Sequence, residues 1–138
     1  MAEEILVKET LTDGMIQGGA SLTSKLDESG WPVVGAFWLF DPEENHWKLM
    51  IVSPEVTTRG PREAYEAISV ALAGLPHHFT DLQYITVIAP NHPLVRALAT
   101  AVKTGRAIEA IRFSRQALAG RFIDEIYLYR LLPEATAA

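Results

Sequence analysis

Two strand-like runs in the middle of the chain each lead directly into a helix-like run, and this succession strongly constrains the fold. Residues 48–52 precede a helix that begins near Pro61, and residues 84–89 precede one that begins near Pro93. A strand, a helix and a further strand of the same sheet normally form a right-handed crossover between parallel strands. We therefore expect strand C-termini and helix N-termini to share one edge of the sheet.

The remaining periodicity adds a first helix and two hairpins. Apolar residues at helical spacing predict a helix over residues 12–28, with Thr12 or Asp13 as its cap and Gly30 at its end. The order helix-strand-strand-helix-strand-helix-strand-strand predicts an α+β fold, a single domain with a mixed five-stranded sheet and helices packed on the sheet. The predicted strands are 33–40, 47–52, 84–89, 108–114 and 122–131, and the later helices are 61–75 and 93–105.

Length and composition fit one globular domain. A chain of 138 residues with 49% hydrophobic and 21% charged residues can bury a core without disulfides. We predict one domain over residues 1–132 and a flexible C-terminal tail over 133–138. The lack of cysteine excludes thiol catalysis and cysteine-ligated zinc. The acidic start and the absence of a long apolar run predict a cytoplasmic protein without a membrane partner.

The charge is unevenly distributed. A net charge of −5 disfavours a dedicated nucleic-acid binder without excluding one. Five bases nevertheless stand within nineteen positions, opposed only by Glu109, and such a cluster can contact phosphates. More often a cluster of this kind is a solvated face that balances acidic neighbours. The five bases are Lys103, Arg106, Arg112, Arg115 and Arg121.

Polar and basic residues follow the predicted strands at the shared edge, and they form the candidate binding site. Ligands of open sheets bind beyond the strand C-termini, where helix N–H groups are free. Arg59 and Arg115 could pair with an anion there, and His92 could donate a proton. The competing interpretation is helix capping and turn chemistry, because no spacing matches a phosphate loop or dinucleotide fingerprint. The candidate residues are Thr57, Thr58, Arg59, Asn91, His92 and Arg115.

The only segment typical of metal ligation is His77-His78 with Asp81. His92 would be the natural third ligand, but the strand 84–89 separates it from the pair by roughly 20 Å. We therefore predict no metal and no other cofactor.

Catalytic templates do not fit the sequence. Lys48 lacks the preceding acid that a nuclease of the restriction-enzyme type requires. Asp124 is expected to pair with Arg112 across a hairpin whose seven-residue loop is centred on Leu118. The sequence therefore leans away from an enzyme, and it specifies no catalytic residue.

Two features favour self-association. Gly14, Gly18 and Gly19 lower helix propensity, which suggests a close backbone approach to a sheet or to a second copy of the helix. Tyr127 and Tyr129 lie in a final strand that is apolar on both faces, and a second protomer would cover such a strand at a sheet edge.

The leading interpretation is a small binding or assembly module that self-associates or acts as a subunit beside a protein partner. The alternative is an anion-, phosphate- or nucleic-acid-associated domain that uses a basic cluster at the strand C-terminal edge. The sequence specifies neither the partner nor the oligomeric state.

Overall fold

The computed structural model describes residues 7–132, so the predicted tail at 133–138 lies outside the described part. A 3-10 turn over Leu82–Tyr84 precedes the third strand. The helices and strands, in chain order, are α1 (Asp13–Glu28), β1 (Gly35–Asp41), β2 (His46–Val52), α2 (Glu55–Thr58), α3 (Pro61–Ala73), β3 (Ile85–Ile88), α4 (Pro93–Ala99), β4 (Ile111–Leu118) and β5 (Arg121–Leu131).

The five strands form one mixed sheet in the order β3-β2-β1-β5-β4, which confirms the predicted α+β fold. β2 and β3 are parallel and every other neighbouring pair is antiparallel. The passage from β2 through α3 to β3 therefore joins parallel neighbours as predicted. The prediction for the second passage is wrong, because β4 lies at the opposite edge and runs antiparallel to β3. The residues between α4 and β4 carry the chain to that far edge, where β4 pairs with β5.

One face of the sheet is covered by α1 and α3, and we call it the two-helix face. Its core contains fully buried aromatic side chains, among them Trp38, Trp47 and Tyr129. The Trp38 indole N–H donates to the Tyr129 hydroxyl at 2.8 Å, and that hydroxyl donates to the carbonyl of Ile16 in α1. A Cβ on Gly19 would lie 2.5 Å from the Tyr129 hydroxyl oxygen. The close approach expected of the α1 glycines is therefore made at Gly19 to the sheet of the same chain.

On the opposite face of the sheet, which we call the α4 face, α4 is the one helix among residues 7–132. Leu94, Val95 and Leu98 of this helix pack on Phe37 and Val52 of the sheet. The helix ends at Ala99, six residues earlier than predicted. The Thr100 hydroxyl donates to the Ala97 carbonyl at 2.6 Å. A threonine side chain that bonds to the backbone in this way competes with helical hydrogen bonding. A helix this short leaves part of the α4 face uncovered.

The last two strands continue beyond the rest of the sheet. β1 pairs with β5 only over residues 126–131, so residues 114–125 form a two-stranded extension that we call the arm. Its turn is Ala119-Gly120, with φ of 50° and 78°, as two-residue hairpin turns require. The predicted seven-residue loop is wrong, because pairing continues to Leu118 and Arg121.

The shorter turn also changes the ion pairs of the hairpin. The predicted pair between Arg112 and Asp124 is wrong: Arg112 lies 3.6 Å from Glu125, and Asp124 accepts a hydrogen bond from Lys8 at 2.7 Å. Burial opposes ionisation of Lys8, but hydrogen bonds to Asp124 and Glu125 raise its pKa. Lys8 therefore holds the base of the arm against the N-terminal segment.

The arm changes direction at Arg115, whose φ is 47°. Phe113 and Leu118 pack in the same apolar cluster. They are five positions apart, and in a regular strand two side chains an odd number of positions apart lie on opposite faces of the sheet. Ile123 and Ile126, three residues apart on the partner strand, also share that cluster. The irregularity at Arg115 therefore turns the tip of the arm over the α4 face.

Candidate functional site

The first half of the predicted edge site lies on the two-helix face. Thr57 and Thr58 end α2, and Arg59 follows them. The Arg59 guanidinium lies 3.1 Å from Glu55 and 5.4 Å from the ring centre of Trp31. This arginine is therefore engaged by its own neighbours.

The second half lies beside α4. Asn91 is exposed, and His92 caps α4 by accepting the Leu94 N–H on its Nδ1 at 3.0 Å. Burial lowers the pKa of His92 from 6.5, and the positive charge of Arg121 lowers it further. Arg115 lies in the arm. The structure therefore does not bring the six predicted residues into one cluster, and the arginine that acts on His92 is Arg121.

The other candidates have partners within the chain. His78 lies 3.1 Å from Asp81, and both side chains are largely exposed. Residues 7–132 contain no group of three or more His, Asp or Glu that could hold a metal ion. The described residues also contain no helix long and apolar enough to cross a membrane.

The residues predicted for self-association are only partly available. Tyr129 is buried and hydrogen-bonded inside the chain. A Cβ on Gly18 would lie 2.2 Å from the ring of Phe79, so this glycine accommodates a side chain of its own molecule. Gly14 is exposed, and Tyr127 is half-buried against Tyr129 with ring centres 5.5 Å apart.

Four of the five bases of the sequence cluster belong to the edge strand β4 or to the segment before it, and Arg121 lies at the tip of the arm in β5. β5 is hydrogen-bonded to β1 on one side, and on its other side to β4 and to the segment before β4. In that segment, for example, the Glu109 N–H donates to the Tyr129 carbonyl at 2.8 Å. Residues 103–121 hold five bases and one acid, whereas the rest of the chain holds seven bases and sixteen acids. We call these five residues the basic strip: Lys103, Arg106, Arg112, Arg115 and Arg121.

The basic strip differs from the other cations in its lack of ion pairs. Within residues 7–132 only Arg112 of the strip lies within 4.0 Å of a carboxylate. Of the seven remaining lysines and arginines, five form such pairs. Within the part of the chain that the structure describes, four of the five strip cations therefore lack a nearby carboxylate, on a protein that is acidic overall.

A concave surface lies between the arm and the uncovered part of the α4 face, and we call it the arm groove. It has a volume of about 540 Å³. Its apolar walls include Leu39, Met50 and Leu94, and Arg121 and Phe122 line it from the arm. The lining thus combines apolar and aromatic side chains with the guanidinium of Arg121 and with the carboxylates of Asp41, Glu43 and Asp124, so Arg121 is the place where the groove suits an anionic group.

The wall opposite the arm is the β1–β2 loop, which is acidic. Asp41 accepts a hydrogen bond from Lys48 at 3.0 Å, and this bond lowers the pKa of Asp41 and raises that of Lys48. Lys48 also lies 3.2 Å from Glu44. Glu43 is exposed on the same wall. The acidic loop thus neutralises Lys48 and leaves Arg121 as the cation of the groove without an ion pair among the described residues.

Sequence reasoning included Arg121 in the basic cluster but missed its neighbour Phe122 and the groove. The available signal was Ala119-Gly120, which can form a two-residue turn but is weaker than Asn-Gly. The change of direction at Arg115 has no sequence signature, because the residue before it and the residue after it are ordinary strand residues.

Comparisons with protein families, curated proteins and solved structures found no match to this chain.

Proposed function

We propose that the protein is a small binding module whose partner is a polyanion, specifically a nucleic acid, contacted by the basic strip and the arm. The observation that supports this proposal is the concentration of five cations in the basic strip, four of which have no ion pair among residues 7–132. Phosphates condense where uncompensated cations are grouped, and the counterions released on binding drive the association.

A binding role also fits His92 and Lys48, the imidazole and the amine near the groove, because each has a structural partner. Protonating His92 on Nδ1 would remove the acceptor that caps α4. Lys48 is held by two carboxylates. Neither side chain is placed as an unengaged acid or base beside the apolar lining.

Salt dependence and matched charge reversal test the proposal. Fluorescence anisotropy would measure the affinity of labelled oligonucleotides between 50 and 200 mM salt. With about four phosphates neutralised, the slope of log K against log salt should be roughly −3, a loss of about fiftyfold over that range.

The matched variants carry the same change in net charge on different faces. Arg115→Glu with Arg121→Glu should weaken binding at least tenfold, since it reverses two phosphate contacts. Lys25→Glu with Arg62→Glu should leave the affinity within about threefold, because these residues belong to α1 and α3. Equal losses in the two double variants, or wild-type binding that is insensitive to salt, would refute the proposal.

Self-association is the second candidate, and the open edge of β4 favours it. This strand has eight residues, is exposed over most of its length, and pairs only with β5 among the described residues. An exposed edge of this length is a template for pairing with a second copy.

Light scattering coupled to size exclusion tests this candidate. Ser114→Lys with Gln116→Lys should dissociate a dimer that pairs through β4, because like charges then face each other across the interface. The same variant should strengthen polyanion binding, so dimerisation should weaken while the affinity for nucleic acid increases. A dimer that persists unchanged would place the interface elsewhere.

A further inference from the structure

We infer that the polyanion is single-stranded and that one of its unpaired bases stacks on Phe122 at the mouth of the arm groove. This inference rests on the proposed function and specifies the class of partner.

Phe122 is the aromatic side chain most open to such a contact. The chain has twelve aromatic residues, all within the described part, and Phe122 alone among them is exposed, at 67%. Its cross-strand partner is Ala117, whose methyl group is too small to cover the ring. An aromatic ring on the solvent side of a hairpin contributes nothing to the core, and it offers a flat face to a nucleobase.

The surroundings of Phe122 supply the other parts of a single-strand site. Arg121 precedes it and forms no ion pair with any residue of 7–132, and Arg115 lies on the neighbouring strand of the arm. The arm groove adjoins the ring and is large enough for a small ligand. Sites for single strands combine cations that follow the backbone with aromatic rings on which bases stack.

The charge of the opposite wall argues against a duplex. Asp41 and Glu43 line the groove on the side of the β1–β2 loop, and Asp124 lines it from the arm, so a second phosphate backbone passing there would be repelled. A single strand can keep its phosphates beside Arg121 and direct its bases away from those carboxylates. The bases of a duplex are also paired and stacked, so they present no free face to Phe122.

The experiment compares three probes of equal length on the intact protein. They are an oligothymidine, an abasic strand of the same charge, and a duplex. We expect Phe122→Ala to weaken oligothymidine binding about tenfold, which is the typical contribution of one stacked base, and to leave binding of the abasic strand unchanged. Phe122→Trp should retain or increase the affinity for oligothymidine.

Val70→Ala is the matched control, because Val70 is 76% exposed on α3, outside the arm. Both residues are exposed, so neither truncation is expected to unfold the protein. The inference is overturned if Phe122→Ala weakens the oligothymidine and the abasic strand equally, or if the duplex binds as tightly as the single strand. In that outcome salt-dependent binding survives, and so does the proposed function. If the wild-type protein binds none of the three probes, the proposed function fails instead.

Discussion

Two glycines of α1 show how one residue type serves different purposes at the residue scale. An added Cβ at Gly14 would have no neighbour closer than Thr12 Oγ1 at 3.8 Å, whereas at Gly19 it would meet Tyr129 and the Trp38 indole nitrogen within 3 Å. Gly14→Ala should raise the free energy of unfolding by up to about 1 kcal/mol, because alanine is the better helix former. Gly19→Ala should lower it by about 2 kcal/mol through overpacking and loss of the buried hydrogen bond. Urea unfolding of Gly14→Ala and Gly19→Ala would measure both free energies of unfolding. Changes of the same sign in the two variants would contradict the prediction.

His92 couples the stability of α4 to pH. Its pKa is lower in the folded protein than its ordinary value of 6.5, so the unfolded chain binds more protons between those two values. The stabilisation is therefore complete above pH 6.5 and is lost as the pH falls towards the folded pKa. His92→Asn keeps an N-cap acceptor and should remove this part of the pH dependence. Unfolding curves at pH 7 and pH 5 would measure the change in stability of the wild type and of His92→Asn. If both proteins lost the same stability between these pH values, His92 would be excluded as the cause.

At the scale of elements, the hairpin turn is the place where sequence and geometry fit least well. Ala119 has a φ of 50°, which costs a residue with a Cβ more than it costs asparagine. Ala119→Asn would create the preferred pair of a two-residue turn and should stabilise the protein by about 0.5 kcal/mol. Ala117→Asn is the control, since asparagine is a poor strand former on a regular backbone. Thermal unfolding distinguishes them, and stabilisation by the control variant would argue against the turn as the cause.

Elements that carry their own local signals were predicted from the sequence, and those set by distant contacts were not. Thr12 caps α1 through a hydrogen bond to Met15 N–H, so the start of that helix is encoded within three residues. The pairing of β4 with β5 at the far edge depends on where the chain travels after α4, which no local pattern specifies. Arg59 and His92 were expected to lie together because both follow parallel strands. Their helices pack on opposite faces, and alternation along the strands does not reveal which face a helix will choose.

At the scale of the whole molecule, one buried arginine joins segments that are far apart in the chain. Arg130 is 2% exposed and donates two hydrogen bonds to Asp27 at 2.9 and 2.8 Å. It also donates to the carbonyls of Val33 and Arg106. The guanidinium therefore links β5 to the end of α1, to the segment before β1 and to the segment that carries the basic strip.

Removing the carboxylate should therefore destabilise the entire fold. Asp27→Ala leaves a buried guanidinium without its counter-charge, and we expect a loss of about 2 kcal/mol, reduced from the fully buried case because Asp27 is 30% exposed. The denaturation midpoint should fall while the m-value stays constant, since unfolding remains cooperative. Glu28→Ala, one residue further along α1, should change the midpoint little. A decrease in the m-value would instead indicate local unfolding.

The two edge strands of the sheet, β3 and β4, differ in whether their outward backbone N–H groups are already hydrogen-bonded, and this difference limits how copies of the protein can pair. Along β3 both outward N–H groups are satisfied, that of Ile85 by the Leu82 carbonyl and that of Val87 by the Tyr65 hydroxyl at 3.1 Å. In a dimer paired through β4, the outward N–H groups of β3 are therefore not free to hydrogen-bond to a strand of a third molecule. If the protein self-associates through β4 as proposed, strand addition would stop at a pair and would not lead to a fibril.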